Sequence, residues 1–301
     1  MRGLCHFGVH SVRTAQRPLA PWTWHAFVVN CGTHKEGEHT VIKLCARLIP
    51  CGFALSLALS ASAAHAADMT ARQVTQLLFA TAAGITPDLS NKDLSGLDLS
   101  GLDFKKARLD GVNFYGADLS DANLSGASLK SARLDRATLI GANFTNADMS
   151  GASLLRPNVF ADMAAPARRS GLSFAGARLV GANFNGRFDG VDFERADLTA
   201  AFFGPRDPRE EVLITPMMSL AGANFTGAVL AGADFSNDAL ENARFVGADL
   251  ARANLRHARL GGADFSNANL DGADLTGADM RGAFLKTARG VSTAVGIAAA
   301  P

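Results

Sequence analysis

An all-β solenoid with square coils is the fold this sequence predicts, and three observations predict it. A large apolar residue recurs every five positions through most of the chain. A small residue, usually Ala, stands two positions before it, as at Ala107, Ala117, Ala122, Ala223, Ala263 and Ala273. Like residues return at twenty, as in Phe225, Phe245 and Phe265, followed by Leu285. A period of five suits neither an amphipathic helix nor a flat alternating strand. Four five-residue sides that close into a coil, each turning its large residue and its alanine inward, satisfy both spacings.

The first stretch in chain order stands apart in composition. All four cysteines (Cys5, Cys31, Cys45, Cys51), both tryptophans and six of the seven histidines precede residue 66. Within it, residues 41–66 carry Lys43 and Arg47, then an apolar run from Leu48 to about Leu59, then Ala64-His65-Ala66 before Ala67. A basic flank, a short apolar run and a small-x-small site predict a secretory signal peptide, too short for a comfortable membrane span. A retained anchor and a buried helix are the alternatives. Forty residues precede the segment, which a start codon assigned too early explains, with Val41 as another initiator. Residues 1–66 are therefore set aside as an upstream extension plus signal peptide, cleaved near Ala66 and Ala67. The remainder has no cysteine and so needs no disulfide. It holds 23 Lys plus Arg against 26 Asp plus Glu, a net charge near −3. So even a balance predicts neither nucleic-acid binding nor strong imitation of it.

Residues 67–86 follow as a helix and linker. In residues 70–83, Val74, Leu77, Leu78 and Ala82 fall on one helical face, and Thr70 with Gln73 fits a capping box. This helix is expected to cover the first coil; a partner-binding amphipathic helix is the other reading.

From residue 87 to about 290 the refrain runs Leu89, Leu94, Leu99, Phe104 and onward to Leu154. It returns at Phe174, Leu179 and Phe184, slips by one to Phe188, and has a last run from Phe225 to Leu285. Burying each Leu or Phe contributes roughly 1.5 to 3 kcal/mol before chain entropy is subtracted, so the interior column is the main source of stability. The phenylalanines read as core rather than as a cofactor box. With its Ala-(Asp/Asn)-Leu phrase in tandem, the run resembles the pentapeptide-repeat family. That resemblance implies a right-handed quadrilateral β-helix, here with a short N-terminal capping helix. With coils one inter-strand spacing apart, nine or ten of them would make a rod on the order of 45 Å long. Such stacks hold by nearest-neighbour contacts and need capped ends. Residues 291–301 form a loose tail or the edge of a C-terminal cap.

Two insertions break the refrain, and in solenoids insertions map to exposed loops that often bind. Residues 155–171 carry Arg156, Phe160, Arg168 and Arg169. Because Leu154 and Phe174 are twenty apart, this segment either forms one irregular coil or loops out and re-enters in register. Residues 204–222 carry Arg206, Arg209, Glu210 and Glu211, then an apolar run from Val212 to Met218 that either packs along the solenoid or meets a partner. The slip at Gly186-Arg187-Phe188-Asp189 drops one residue, which could bend the stack.

Chemistry is harder to find. The residue before each central one faces outward and is often acidic, as at Asp88, Asp98, Asp234 and Asp274, but residues five apart lie on different sides and cannot converge on a metal. Twenty-residue neighbours do meet: Asp234, Asn254 and Asp274 alternate, Arg244 faces Asp264, and Arg259 faces Asp279, pairs that set register and solubility. The sharpest basic cluster holds Arg252, Arg256, His257 and Arg259, read either as an anion or partner patch or as a solvated face. His257 has no second imidazole or cysteine with which to share a metal. No phosphate-binding loop or nucleophile arrangement stands out, so no cofactor, metal or catalytic residue is expected. The expectation is a non-enzymatic, exported scaffold that meets an unidentified protein partner in the cell envelope through Arg156, Phe160, Arg168, Arg169, Arg206, Arg209, Glu210, Glu211, Arg252, Arg256 and His257. No nucleic acid and no stable membrane insertion are expected, and a homodimer through the C-terminal end is possible. The resemblance also implies an alternative, since some family members imitate duplex DNA and protect topoisomerases from quinolones. The near-neutral charge and the export segment weigh against it.

Overall fold

The computed structural model describes residues 67–80, 85–160, 171–204 and 218–297. The export segment predicted over 41–66 and the final residues of the tail lie outside them, as do Ala82 and the middle of each insertion.

The chain first forms α1, Ala71–Ala80. Its start is the predicted capping box: the Gln73 N–H donates to Thr70 Oγ1 at 3.3 Å, and the Thr70 N–H donates to Gln73 Oε1 at 2.8 Å. Val74 is fully buried, and Leu77 and Leu78 pack against the core of the coils. Just ahead of the helix, Asp68 joins the first coil, its N–H donating to the Asp93 carbonyl at 2.7 Å and its carboxylate accepting the Asp93 N–H at 2.9 Å.

From Asp88 onward each five-residue side contributes one or two extended residues, paired in parallel with the side twenty residues later: Asp88 with Arg108, Asp93 with Asn113, Asp98 with Asp118, Asp103 with Asn123. One regular revolution therefore takes twenty residues, or four five-residue repeats. Only in the middle do the sides lengthen into named strands, β1 (Ser153–Leu155), β2 (Asn183–Asn185) and β3 (Phe202–Phe203), which form one parallel sheet in the order β1-β2-β3. Hydrogen bonds link each coil to the next. The Leu89 and Asn91 N–H groups donate to the Arg108 and Asp110 carbonyls, and the Arg108 N–H donates back to the Pro87 carbonyl, all at 2.8 Å.

The regular corners are tight turns. The Ala107 N–H donates to the Phe104 carbonyl at 2.8 Å while Lys106 between them sits at φ 61°, the left-handed third residue of a type II turn. This explains the glycines that recur two positions after the central residue, since only glycine takes that conformation without strain. Inside, the phenylalanines of one face stack through Phe144, Phe174, Phe193, Phe225, Phe245 and Phe265, with successive ring centroids 4.9 to 5.2 Å apart and planes within 18° of parallel. A shorter column, Phe184, Phe203 and Phe235, stacks on another face at 4.8 and 4.5 Å.

The register corrects one expectation. Leu154 pairs with Phe184, not with Phe174, and Ser173 pairs with Asn143. The twenty-residue interval from Leu154 to Phe174 is a coincidence; this coil holds thirty residues, ten more than the regular revolution. The coil also continues further into both insertions than the pattern suggested. Asn158 pairs with Thr138, Val159 and Phe160 are buried, and Ser219 pairs with Ala239, so residues 161–170 and 205–217 are what remains outside the described coils. Met218, at the end of the second apolar run, is buried in the core. The one-residue slip shortens its coil to nineteen, so that Ser173 pairs with Asp192 and Asn183 with Phe202. Gly186 absorbs it at φ 130°, and a Cβ there would stand 3.3 Å from the Arg156 Cα. At the far end, Val295 closes a final partial coil by pairing with Asp274, and Gly296 approaches so closely that a Cβ would sit 2.4 Å from the Thr276 nitrogen.

Candidate interaction surface

The outward acids owe their frequency to local geometry as much as to solubility. Asp93 Oδ1 accepts the Ser95 N–H two residues on at 2.9 Å, and also the Asn113 side-chain amide one coil on at 3.1 Å. The same double use recurs at Asp234, with the Ser236 N–H at 3.0 Å and the Asn254 amide at 2.9 Å. Aspartate and asparagine suit the position because their short side chains reach back to the turn. These bonds hold several carboxyls below their ordinary range. Asp98 is lowered by the Ser100 hydroxyl and N–H, and Asp264 by Ser266 with Arg244 adding to it. Asp274 falls to about 2, through Thr276 first and then Arg256.

One acid departs from this scheme. At Asp238-Ala239-Leu240 the usual order of alanine and aspartate is reversed, so Asp238 occupies the inward alanine column. It is only 3% exposed, and Oδ2 has no hydrogen-bond partner among the described residues. Burial, with the Asp234 charge adding to it, pushes its carboxyl well above the ordinary value.

The residues expected to meet a partner fall into three groups. Arg168, Arg169, Arg206, Arg209, Glu210 and Glu211 lie outside the described residues. Arg156 is exposed at a left-handed corner, φ 52°, whereas Phe160 is 7% exposed and lies beneath the Arg187 guanidinium, 5.1 Å from its ring centroid. Phe160 is thus a packing residue: its position one after the central Val159 faces it into the corner rather than into solvent. The third group, Arg252, Arg256 and His257, is exposed. Arg252 and His257 are also left-handed corner residues, and the His257 imidazole lies over Gly277 of the next coil, where a Cβ would come within 2.4 Å of Nδ1. Arg256 donates to Asp274 at 3.0 Å. Arg259 faces Asp279 in the backbone register, but its ion pair is with Glu241 at 2.7 Å, because Arg281 on its own side takes Asp279 at 2.7 Å.

Three residues that sequence reasoning passed over, Tyr115, Arg133 and Arg136, meet one another, and Arg136 stands one coil before Arg156. The Arg133 guanidinium lies over the Tyr115 ring at 4.6 Å, and that of Arg136 stands 5.9 Å from the same ring. Arg133 also pairs with the buried Asp135 at 2.8 Å, whose other oxygen accepts the Ser153 hydroxyl at 2.5 Å and the Leu155 N–H at 3.0 Å. Asp93, Ser95, Asn113, Tyr115 and Arg133 line a shallow open depression on this face. The signal for the cluster was present: Tyr115 is the only tyrosine of the chain, and Arg136 falls where the refrain ordinarily has glycine. Among the described residues no group of three or more His, Cys, Asp or Glu side chains is arranged to hold a metal, and no helix is long and apolar enough to cross a membrane.

A parallel β-solenoid with five-residue sides, left-handed corners and an Ala-(Asp/Asn)-Leu phrase on each side defines a class of protein. The model for pentapeptide repeats matches eight copies, over residues 88–116, 117–154, 219–254 and 243–286. The chain belongs to the pentapeptide-repeat family, whose members fold as right-handed β-helices. Among solved structures it is similar to HetL, a pentapeptide repeat protein involved in heterocyst differentiation regulation from the cyanobacterium Nostoc sp. strain PCC 7120. The identity there is 27% over 73% of this chain and 94% of that one, with a TM-score of 0.27. A pentapeptide repeat protein from the Arabidopsis thaliana thylakoid lumen is 30% identical over 42% of this chain and 72% of that one, TM-score 0.23. Full-length QnrB1, a plasmid-mediated fluoroquinolone resistance protein, is 17% identical over 63% and 88%, TM-score 0.27. No curated protein matches the chain.

Proposed function

We propose that the protein is a non-enzymatic interaction scaffold, exported to the periplasm or beyond the cell, in which a quadrilateral β-helix presents its two insertions to a protein partner. The observation that carries this reading is the register. Coils on either side of both insertions keep the same four faces, with the Phe144 to Phe265 stack running past both. A core that continues unbroken past an insertion gives it a fixed footing and asks nothing of its sequence, which suits display. In this reading α1 caps the first coil, and the partly exposed apolar residues of the last coils, Met280, Leu285, Val291 and Ile297, suit a homodimer through the C-terminal end. Export rests on the segment 41–66. Alternation of sign along one face, as in Asp88, Arg108, Asp148 and Arg178, favours a protein-interaction role over imitation of DNA.

The test excises residues 161–170 and 205–217, separately and together, and compares capture of partners from an envelope fraction. Retained β-helical circular dichroism with loss of a protein captured by the intact chain is the expected result. Equal capture by the doubly excised protein would remove the insertions from the reading. Fractionation with intact mass tests export separately: a species beginning near Ala67 in the periplasm or medium is expected, and a cytoplasmic species retaining the upstream residues would overturn export.

A further inference from the structure

The non-glycine residues at left-handed corners follow a spacing rule. Their side chains lean over the same corner of the next coil, and that corner is glycine: Asn91 lies over Gly111, Asp121 over Gly141, Asn146 over Gly176, Asn242 over Gly262 and His257 over Gly277, in each case where a Cβ would come within 2.6 Å of a side-chain atom. Among the described residues, two pairs place one left-handed non-glycine residue directly after another, Arg136 with Arg156 and Asn237 with His257. Only the first is a like-charge pair.

That pair carries two separate costs. Arg136 and Arg156 hold φ 58° and 52° in a column that has glycine on either side of them, at Gly96, Gly116 and Gly186, a conformation that disfavours side chains with a Cβ. They also set two permanent positive charges one coil apart, about 4.8 Å at the backbone. Neither has an ion-pair partner among the described residues. Among the described residues, Asp135 is taken by Arg133, Asp189 by Arg187 at 2.8 Å and by the Ser219 hydroxyl, and Asp118 by the Ser120 N–H and hydroxyl. Among the described residues the surplus on this corner is thus two charges, both at guanidinium groups. The Tyr115 ring faces Arg133 and Arg136 and restricts them laterally. The Arg156 N–H donates to the Asn185 backbone carbonyl at 2.6 Å, which fixes the corner and leaves the guanidinium free to reach outward.

We infer that this corner, Arg136 and Arg156 with Arg133 beside them, is a binding site for a tetrahedral dianion, a phosphate or phosphomonoester group. A monocarboxylate is saturated by one bidentate guanidinium and would leave one charge of the pair uncompensated. A phosphate dianion has three or more acceptor oxygens, neutralises both charges, and suits the planar fork of arginine. It converts a like-charge stack that opposes folding into the reason for the stack. The inference is independent of whether the insertions meet a partner.

The variants Arg136→Gly and Arg156→Gly put the column's own residue at each place, so both are expected to fold. Each should raise the melting temperature by about 2–4 °C, since strain and repulsion are relieved together. Titration calorimetry on the full-length protein with inorganic phosphate and with phenyl phosphate should show one saturable site, weakened about tenfold or more in each variant. Acetate should compete poorly. Co-sedimentation with phosphatidylcholine vesicles, with and without phosphatidic acid, separates the two sources of the group. Vesicle binding lost in the same variants points to a lipid headgroup, and soluble binding alone points to a free phosphomonoester. Absence of saturable phosphate binding, equal affinity for acetate, or affinity unchanged in both variants overturns the inference.

Discussion

Asp238 is the residue at which this chain departs furthest from its own rule. A carboxyl with an unpartnered oxygen in the alanine column opposes folding once it ionises. Its folded pKa is raised, so its neutral form is favoured. Stability linked to it is greatest below the ordinary carboxyl value, near 4, and declines as pH rises from there toward the raised folded value. Asp238→Ala restores the column and should stabilise the protein at pH 7 by about 1–3 kcal/mol. It should give little change at pH 4; melting at both values checks this, and an equal gain at both would deny the linkage. The residue was legible in principle, because Asp238-Ala239-Leu240 inverts the Ala-Asp-Leu order visible elsewhere. Period counting on the central residue passes over it, since Leu240 keeps the beat. The same blindness hid Arg136: a reading tuned to what points inward gives no weight to the corner, where backbone conformation decides which residue fits.

The elements were legible wherever one physical spacing governed them. Thr70 and Gln73 announced the start of α1, and the five-residue beat announced the sides and the core. What failed was inference across an insertion, since the interval from Leu154 to Phe174 fits one regular revolution while the chain uses thirty residues to complete it. Sequence distance measures register only when every corner is present. The stack itself has a testable cost. Phe193 lies between Phe174 and Phe225, at 5.2 and 5.0 Å, and is fully buried. Phe193→Ala should cost about 3–5 kcal/mol. Phe284→Ala should cost little, as that side chain is 64% exposed. Urea unfolding of the two variants compares them, and similar losses would mean that the stack is not the source of cohesion.

For the whole molecule, acid is the informative solvent. Asp98, Asp264, Asp274 and Asp279 all have folded pKa values below the ordinary one, each through hydrogen bonds made within its own turn. Depressed carboxyls contribute stability that is present above the unfolded value and lost as pH falls through the folded one, down to about 2 at Asp274. The melting temperature should therefore fall between pH 4 and pH 2, more steeply in Asp238→Ala, where the opposing group is gone. A flat profile over that interval would show that the turns do not depend on ionised acids.

The uneven coils have a mechanical consequence. Each coil is bonded only to its neighbours, so a chain pulled from its ends should unwind one revolution at a time. A regular revolution would release roughly 65–70 Å of slack. Those that span the insertions, where Asn143 meets Ser173 and Asp192 meets Asn224, would release roughly 100–115 Å. Under tension the molecule would behave as a ruler with two long divisions near its middle.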